Sequence, residues 1–130
     1  MKQVLIVEDD ININNLIVEN FTNNDLKCTQ AFSGMEALLC IQIQNYDLIL
    51  LDLMLPGMMG EDVFAKIKEK SNSPIIIISA KDSLDKKIDL LSLGAEDYIT
   101  KPFEIKELLA SVFVQLRKND KSLVNSIVKT

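Results

Sequence analysis

Histidine is absent from the chain, and cysteine occurs only at Cys28 and Cys40, without the C-x-x-C spacing of a zinc or redox motif. With no imidazole to join them, the two thiols make no zinc site and are read as reduced, mostly buried small hydrophobes on a strand and the following helix. Positive charge is in deficit: 14 Lys and Arg against 19 Asp and Glu give a formal net charge of −5 and a pI near 4.7. Phosphate backbones demand clustered Lys and Arg, so direct binding of nucleic acid or of an anionic membrane by this segment is not expected. No apolar run approaches the roughly 18 residues of a membrane span. Met1-Lys-Gln-Val lacks the basic start and long apolar core of a signal peptide, so the expected location is the cytoplasm. Glycine signatures are missing too: no G-x-G-x-x-G follows the first apolar run, and no G-x-x-x-x-G-K-[ST] occurs, which removes dinucleotide-binding and GTP-binding first loops.

What is present is a core. Hydrophobic residues make up 48% of 130, enough for one domain without disulfides or a structural metal. Leu48-Ile-Leu-Leu51 is too short for a helix and reads as a strand buried on both faces, the habit of a parallel sheet. Asp52 closes that run, and Pro56 and Gly57 stop it. Gln3–Val7, Leu26–Ala31, Pro74–Ile78 and Asp97–Thr100 read as four more strands. Between them run helical patterns: Ile13, Leu16, Ile17 and Phe21; Ala37, Leu38, Cys40 and Ile41 behind the capping box Ser33-Gly-Met-Glu36; Val63, Phe64 and Ile67, with Lys66, Lys68, Glu69 and Lys70 opposite. A charged helix from about Ser83 ends at Gly94, and a last stripe runs through Ile105, Leu108, Leu109, Val112, Phe113 and Leu116. The loop methionines Met54, Met58 and Met59 are read as packing. Residues 119–130, with Leu123, Val124, Ile127 and Val128 at weak helical spacing, read as an extension or the start of a linker beyond a domain of residues 1–118. Strands alternating with helices predict an α/β sandwich around a parallel sheet.

In such a sheet all strands end on one edge, where ligands bind. Glu8-Asp9-Asp10 follow the first strand, Asp52 ends the third, Ser79 ends the fourth and Lys101 follows the fifth. One acid would serve to cap the next helix; three invite another explanation. If strands one and three are neighbours, Asp9 and Asp52 face each other, and crowded carboxylates are relieved by a hard divalent cation, for which Mg²⁺ is suited. A cation, the Ser79 hydroxyl and the Lys101 ammonium would neutralise phosphoryl oxygens beside a carboxylate able to act as nucleophile, giving an acyl phosphate on Asp52. A haloacid dehalogenase-type phosphatase would need a second Asp two residues on, where this chain has Met54. A flavin carrier would need a phosphate cradle where the three acids stand.

Val7-Glu-Asp-Asp10, Leu51-Asp-Leu-Met-Leu-Pro-Gly57, Ser79-Ala80 and Gly94-Ala-Glu-Asp-Tyr-Ile-Thr-Lys-Pro-Phe103, in that order and spacing, resemble the receiver domain of bacterial two-component response regulators from about Lys2 to Lys118. The resemblance implies a flavodoxin-like (βα)5 fold with strand order 2-1-3-4-5; the chemotaxis regulator is itself a standard example of that order. It makes Asp52 the phosphoacceptor, phosphorylated by a sensor histidine kinase or a small phosphodonor. Glu8 and Asp9 become the acidic pair, with Asp9, Asp52 and the Met54 backbone carbonyl as direct Mg²⁺ ligands. Lys101 pairs with phosphoryl oxygens, and Lys101-Pro102 is expected cis. Ser79 and Tyr98 become the switch pair that reshapes the surface of the fourth helix, fifth strand and fifth helix. Such a domain is a phosphoacceptor rather than a turnover enzyme. With Met54 and Lys81 flanking the approach of water, the phosphoryl group is expected to persist for minutes or longer. The Asp97–Phe103 tail resembles the subfamily with a winged-helix DNA-binding output domain, which dimerises through that surface. Lys87, Glu96, Asp97 and Glu107 match its charged positions, while Asp89 and Ser111 stand where basic residues are usual. A free-standing phosphorelay receiver is the alternative.

Overall fold

The computed structural model describes residues 1–80 and 83–118. Strands β1 (Lys2–Val7), β2 (Leu26–Ala31), β3 (Leu48–Asp52), β4 (Ile75–Ser79) and β5 (Asp97–Thr100) alternate with helices α1 (Ile11–Thr22), α2 (Gly34–Ile43), α3 (Gly60–Lys70), α4 (Leu84–Ser92) and α5 (Ile105–Lys118). The strands form one sheet of order β2-β1-β3-β4-β5, parallel throughout, as expected for the flavodoxin-like arrangement. The expected part played by Lys81, and the extension over 119–130, lie outside the described residues.

Alternation along the strands divides the core in two. Leu5, Val7, Ile49, Leu51, Ile75, Ile77 and Tyr98 pack with Ala37 of α2, Val63, Phe64 and Ile67 of α3 and Leu90 of α4. Val4, Ile6, Leu48, Leu50, Ile76, Ile78 and Ile99 pack with Ile17 and Phe21 of α1 and Leu108, Val112 and Leu116 of α5. Every residue of β3 and β4 is buried, which is why those strands read as continuous apolar runs. β2 lies at an edge, so its polar interruptions have water to meet.

Local signals set the helix ends. Asp10 caps α1 by accepting the Ile13 N–H at 3.0 Å. Ser33 Oγ accepts the Glu36 N–H at 3.1 Å, but Glu36 Oε2 accepts from Phe32 N at 3.0 Å rather than from the cap residue as a capping box requires. At the end of α4 the Ala95 N–H bonds the Leu90 carbonyl and the Gly94 N–H bonds the Leu91 carbonyl, with Gly94 at φ +110°. This is the paired closure that glycine permits. Gly60 answers a different need: its N–H bonds the Leu53 carbonyl at 3.1 Å, folding the β3–α3 loop back on itself. A Cβ there would stand 2.2 Å from the Leu53 carbonyl oxygen.

Two side-chain assignments change. Leu16 is 48% exposed, and the buried strip of α1 runs Asn14, Ile17, Phe21 instead. Of the loop methionines only Met58 packs on the core; Met54 and Met59 are 50% and 60% exposed. Cys28 and Cys40 are free, half-buried and associated with opposite faces of the sheet.

Candidate functional site

β1 and β3 are neighbours, with Val7 in register with Leu51, so Glu8 and Asp52 leave the sheet side by side. Fully burying four large side chains from Leu48 to Leu51, at about 1.5–3 kcal/mol each, carries Asp52 with them to a position 1% exposed. Glu8 is fully buried beside it, and Asp9 is exposed. Carboxylate oxygens of these three residues lie within 4.8 Å of one another.

Lys101 comes from the far side, across β4. Its N–H bonds the Ser79 carbonyl at 2.8 Å, which fixes the turn after β5 against the end of β4. Its Nζ then reaches Asp52 Oδ2 at 2.8 Å and Glu8 Oε1 at 2.5 Å. The other Asp52 oxygen, Oδ1, accepts the Met54 N–H at 2.9 Å, and Glu8 Oε2 accepts the Asp10 N–H at 3.2 Å. Burial first and the neighbouring Asp52 second push the Glu8 carboxyl up to about 7, with Lys101 and the Asp10 N–H acting against them. Burial by itself would lower the Lys101 ammonium, but its bonds to Asp52 and Glu8 outweigh that and hold it above the ordinary lysine range. One ammonium thus stands against three carboxyl groups, and Glu8 answers the excess by holding its proton toward neutral pH.

That imbalance is what a cation would correct. The donor set is carboxylate oxygen alone, with no sulfur or imidazole, and it fits a hard divalent ion of the Mg²⁺ kind. Glu8, Asp9 and Asp52 are the residues that would hold it. Met54 is at the site through its backbone. Beside Asp9 a cleft of about 420 Å³ opens along Met54, Pro56, Met59 and Glu61, so the acidic cluster is reached from solvent on that side.

The expected switch residues are further along the same edge. Ser79 is fully buried at the end of β4, one residue beyond Ile78, the register partner of Asp52. Tyr98 is 5% exposed and in register with Ile77, two residues before Ser79 and so on the same face of the sheet. On the surface of α4, β5 and α5, Asp97 Oδ2 accepts from the Ser111 hydroxyl at 2.5 Å, so the serine standing where the resembled subfamily has a basic residue engages Asp97 within the chain. A cleft of about 620 Å³ lies there, bordered by Lys87, Asp97, Glu107 and Ser111. Leu84, Ile88 and Leu91 of α4 are 70%, 51% and 38% exposed. α4 is joined to α3 by Lys86 Nζ on Glu61 Oε2 at 2.7 Å, a pair that sequence spacing does not reveal. Asn14 was missed as well: its Nδ2 donates to the Glu8 carbonyl at 3.0 Å. Its signal was a polar residue in phase with Ile17 and Phe21.

A parallel 2-1-3-4-5 sheet with a buried carboxylate, two companion acids and a lysine converging at its carboxyl edge defines a flavodoxin-like α/β domain with an acidic, cation-fitting site. The chain belongs to the response regulator receiver domain family, whose model matches residues 4–113. It is similar to the response regulator ArlR of Staphylococcus aureus, 41% identical over 118 residues that cover 91% of this chain and 54% of that protein. The chain thus spans about half the length of the curated relatives it matches. Among solved structures it resembles the receiver domain of a Francisella response regulator, at 39% identity and a TM-score of 0.87 over 92% of this chain and 100% of that one. It also resembles the Thermotoga maritima response regulator TrrA, solved in complex with Mg(2+)-BeF, at 34% identity and a TM-score of 0.79 over 88% of this chain and 99% of that one. No helix among the described residues is long and apolar enough to cross a membrane.

Proposed function

We propose that residues 1–118 form a phosphorylation-dependent signalling switch in the cytoplasm, with Asp52 as the phosphoacceptor. The observation that carries this reading is the Asp52 carboxylate, 1% exposed at the end of β3, clustered with Glu8 and Asp9 and bonded to Lys101 at 2.8 Å. A carboxylate oxygen of Asp52 attacks phosphorus on the donor; the new O–P bond forms as the bond from phosphorus to the donor, a phosphohistidine of a sensor kinase or a small acyl phosphate, breaks. Glu8, Asp9, Asp52 and the Met54 carbonyl would hold Mg²⁺, which would supply positive charge to the phosphoryl oxygens. Lys101 moves from its bond with Asp52 to one of those oxygens. Ser79 then bonds the phosphoryl group and Tyr98 shifts on the same face, which reshapes α4, β5 and α5. That surface passes the signal on, by homodimerisation and through an attached DNA-binding domain that regulates transcription. The Asp97–Phe103 motif and the greater length of the ArlR relatives support this output. The same residues catalyse phosphorylation and slow hydrolysis, without turnover of a separate substrate.

Incubation with acetyl phosphate and Mg²⁺, followed by intact mass spectrometry, tests it. One phosphoryl group should be added to the parent and none to Asp52→Asn; equal addition to both would remove Asp52 from the role. The half-life of the modified protein in Mg²⁺ should be minutes or longer, and loss within seconds would overturn the slow-hydrolysis reading.

A further inference from the structure

Asn14 lies on the strip of α1 otherwise made of Ile17 and Phe21 and is buried as completely as they are. A carboxamide in that position is costly unless its donors and acceptor are met. Its Nδ2 donates to the Glu8 carbonyl at 3.0 Å and the Ala31 carbonyl at 3.4 Å, and its Oδ1 accepts from Gln30 Nε2 at 2.9 Å. The Ala31 carbonyl also accepts the Glu8 N–H at 3.0 Å. Glu8 is therefore held through both of its peptide groups just where β1 ends: the N–H by β2, the carbonyl by Asn14.

The second of these bonds fixes the peptide plane joining Glu8 to Asp9, and that plane sets where the Asp9 side chain stands. Asp9 needs such help. Its exposed carboxylate accepts no hydrogen bond and joins no ion pair among the described residues, whereas Glu8 and Asp52 are tied directly to Lys101. Gln30 keeps the Asn14 amide in the one orientation that turns nitrogen toward Glu8, because its own Nε2 requires the Asn14 oxygen; it also bonds Asn15 Oδ1 at 2.8 Å.

We infer that Asn14, oriented by Gln30, is a positioning residue for the cation site: it replaces the strand partner that β1 loses at Glu8 and holds the backbone from which the acidic pair is presented. The inference rests on the reading of Glu8, Asp9 and Asp52 as the metal-binding set. Residues that orient ligands without touching the metal commonly change its affinity by about 10–100-fold when removed. Asn14→Ala should weaken Mg²⁺ binding to the folded protein about tenfold, and Gln30→Ala about two- to threefold, by isothermal calorimetry. In the metal-free protein, amide hydrogen exchange at Asp10, whose N–H is held by the Glu8 side chain, should quicken in Asn14→Ala. Leu116→Ala, at the far end of α5, serves as a control that loses stability without touching the site. Binding by Asn14→Ala within about twofold of the parent, binding by Gln30→Ala indistinguishable from the parent, or equal weakening in Leu116→Ala, overturns the inference. If Asn14→Ala does not fold, Gln30→Ala decides alone. A parent that binds no Mg²⁺ overturns the site reading and this inference together, while a parent that binds as tightly as the polar variants overturns this inference only.

Discussion

Raising the pH of the metal-free protein from about 5.5 to about 8 should destabilise it, by an amount set mainly by Glu8. That carboxyl is raised from an ordinary 4.5 to about 7 by burial and by Asp52. In this window the native state binds more protons at Glu8 than the unfolded chain does, so stability falls as pH rises through the folded value. At about 1.4 kcal/mol per tenfold change, the penalty is about 1.4 kcal/mol near pH 5.5 and approaches a ceiling of about 3 kcal/mol near pH 8. The difference, at most about 2 kcal/mol, amounts to a fall of about 5–10 °C in Tm for a domain of this size. The absence of histidine removes the side chain that ordinarily titrates within this window. Thermal unfolding by circular dichroism in chelator, at several pH values, measures the slope. Asp52→Asn removes the neighbouring negative charge and leaves Lys101 to Glu8, so its slope should be shallower though burial keeps part of it, and millimolar Mg²⁺ should flatten the parent's slope in the same way. A metal-free Tm that is level or rises over this window, or a slope unchanged in Asp52→Asn, would refute the account of Glu8 buried beside Asp52.

Other perturbations separate the site from its scaffold. Asp9→Asn should weaken Mg²⁺ binding at least about tenfold by calorimetry while leaving Tm in chelator equal or slightly higher, because it removes one of three crowded carboxyl groups. Gly60→Ala should cost about 3 kcal/mol or more in denaturant unfolding, since its Cβ meets the Leu53 backbone, which cannot step aside as a side chain can. Ser33→Ala should cost about 1 kcal/mol through the lost cap on α2 and leave Mg²⁺ affinity unchanged.

The strands were legible because burial on both faces leaves so little room for polar residues: β3 and β4 are written as Leu and Ile with one polar residue at the carboxyl end of each. Once they are placed in a parallel sheet, Glu8, Asp52, Ser79 and Lys101 must share an edge whatever the strand order. Side-chain detail was less legible where hydrophobicity and burial part company. Leu16 lies within the helical spacing yet faces solvent, and Asn14 takes the buried place because its amide is satisfied by strand carbonyls that no helical pattern displays. Met54 and Met59 are exposed because their loop carries its backbone to the site and turns their side chains outward. The Lys86–Glu61 and Ser111–Asp97 contacts join residues 25 and 14 positions apart, and depend on how helices settle against the sheet rather than on any local rule.

The most direct test is to locate the modification. Protein treated with a small phosphodonor should yield, on digestion and tandem mass spectrometry, a single phosphorylated position at Asp52, formed only with Mg²⁺ present and lost when Asp9 and Lys101 are replaced together. Phosphate found on a different residue, or on Asp52 at the same rate in chelator, would contradict a nucleophile whose reactivity is owed to the acids and lysine gathered around it.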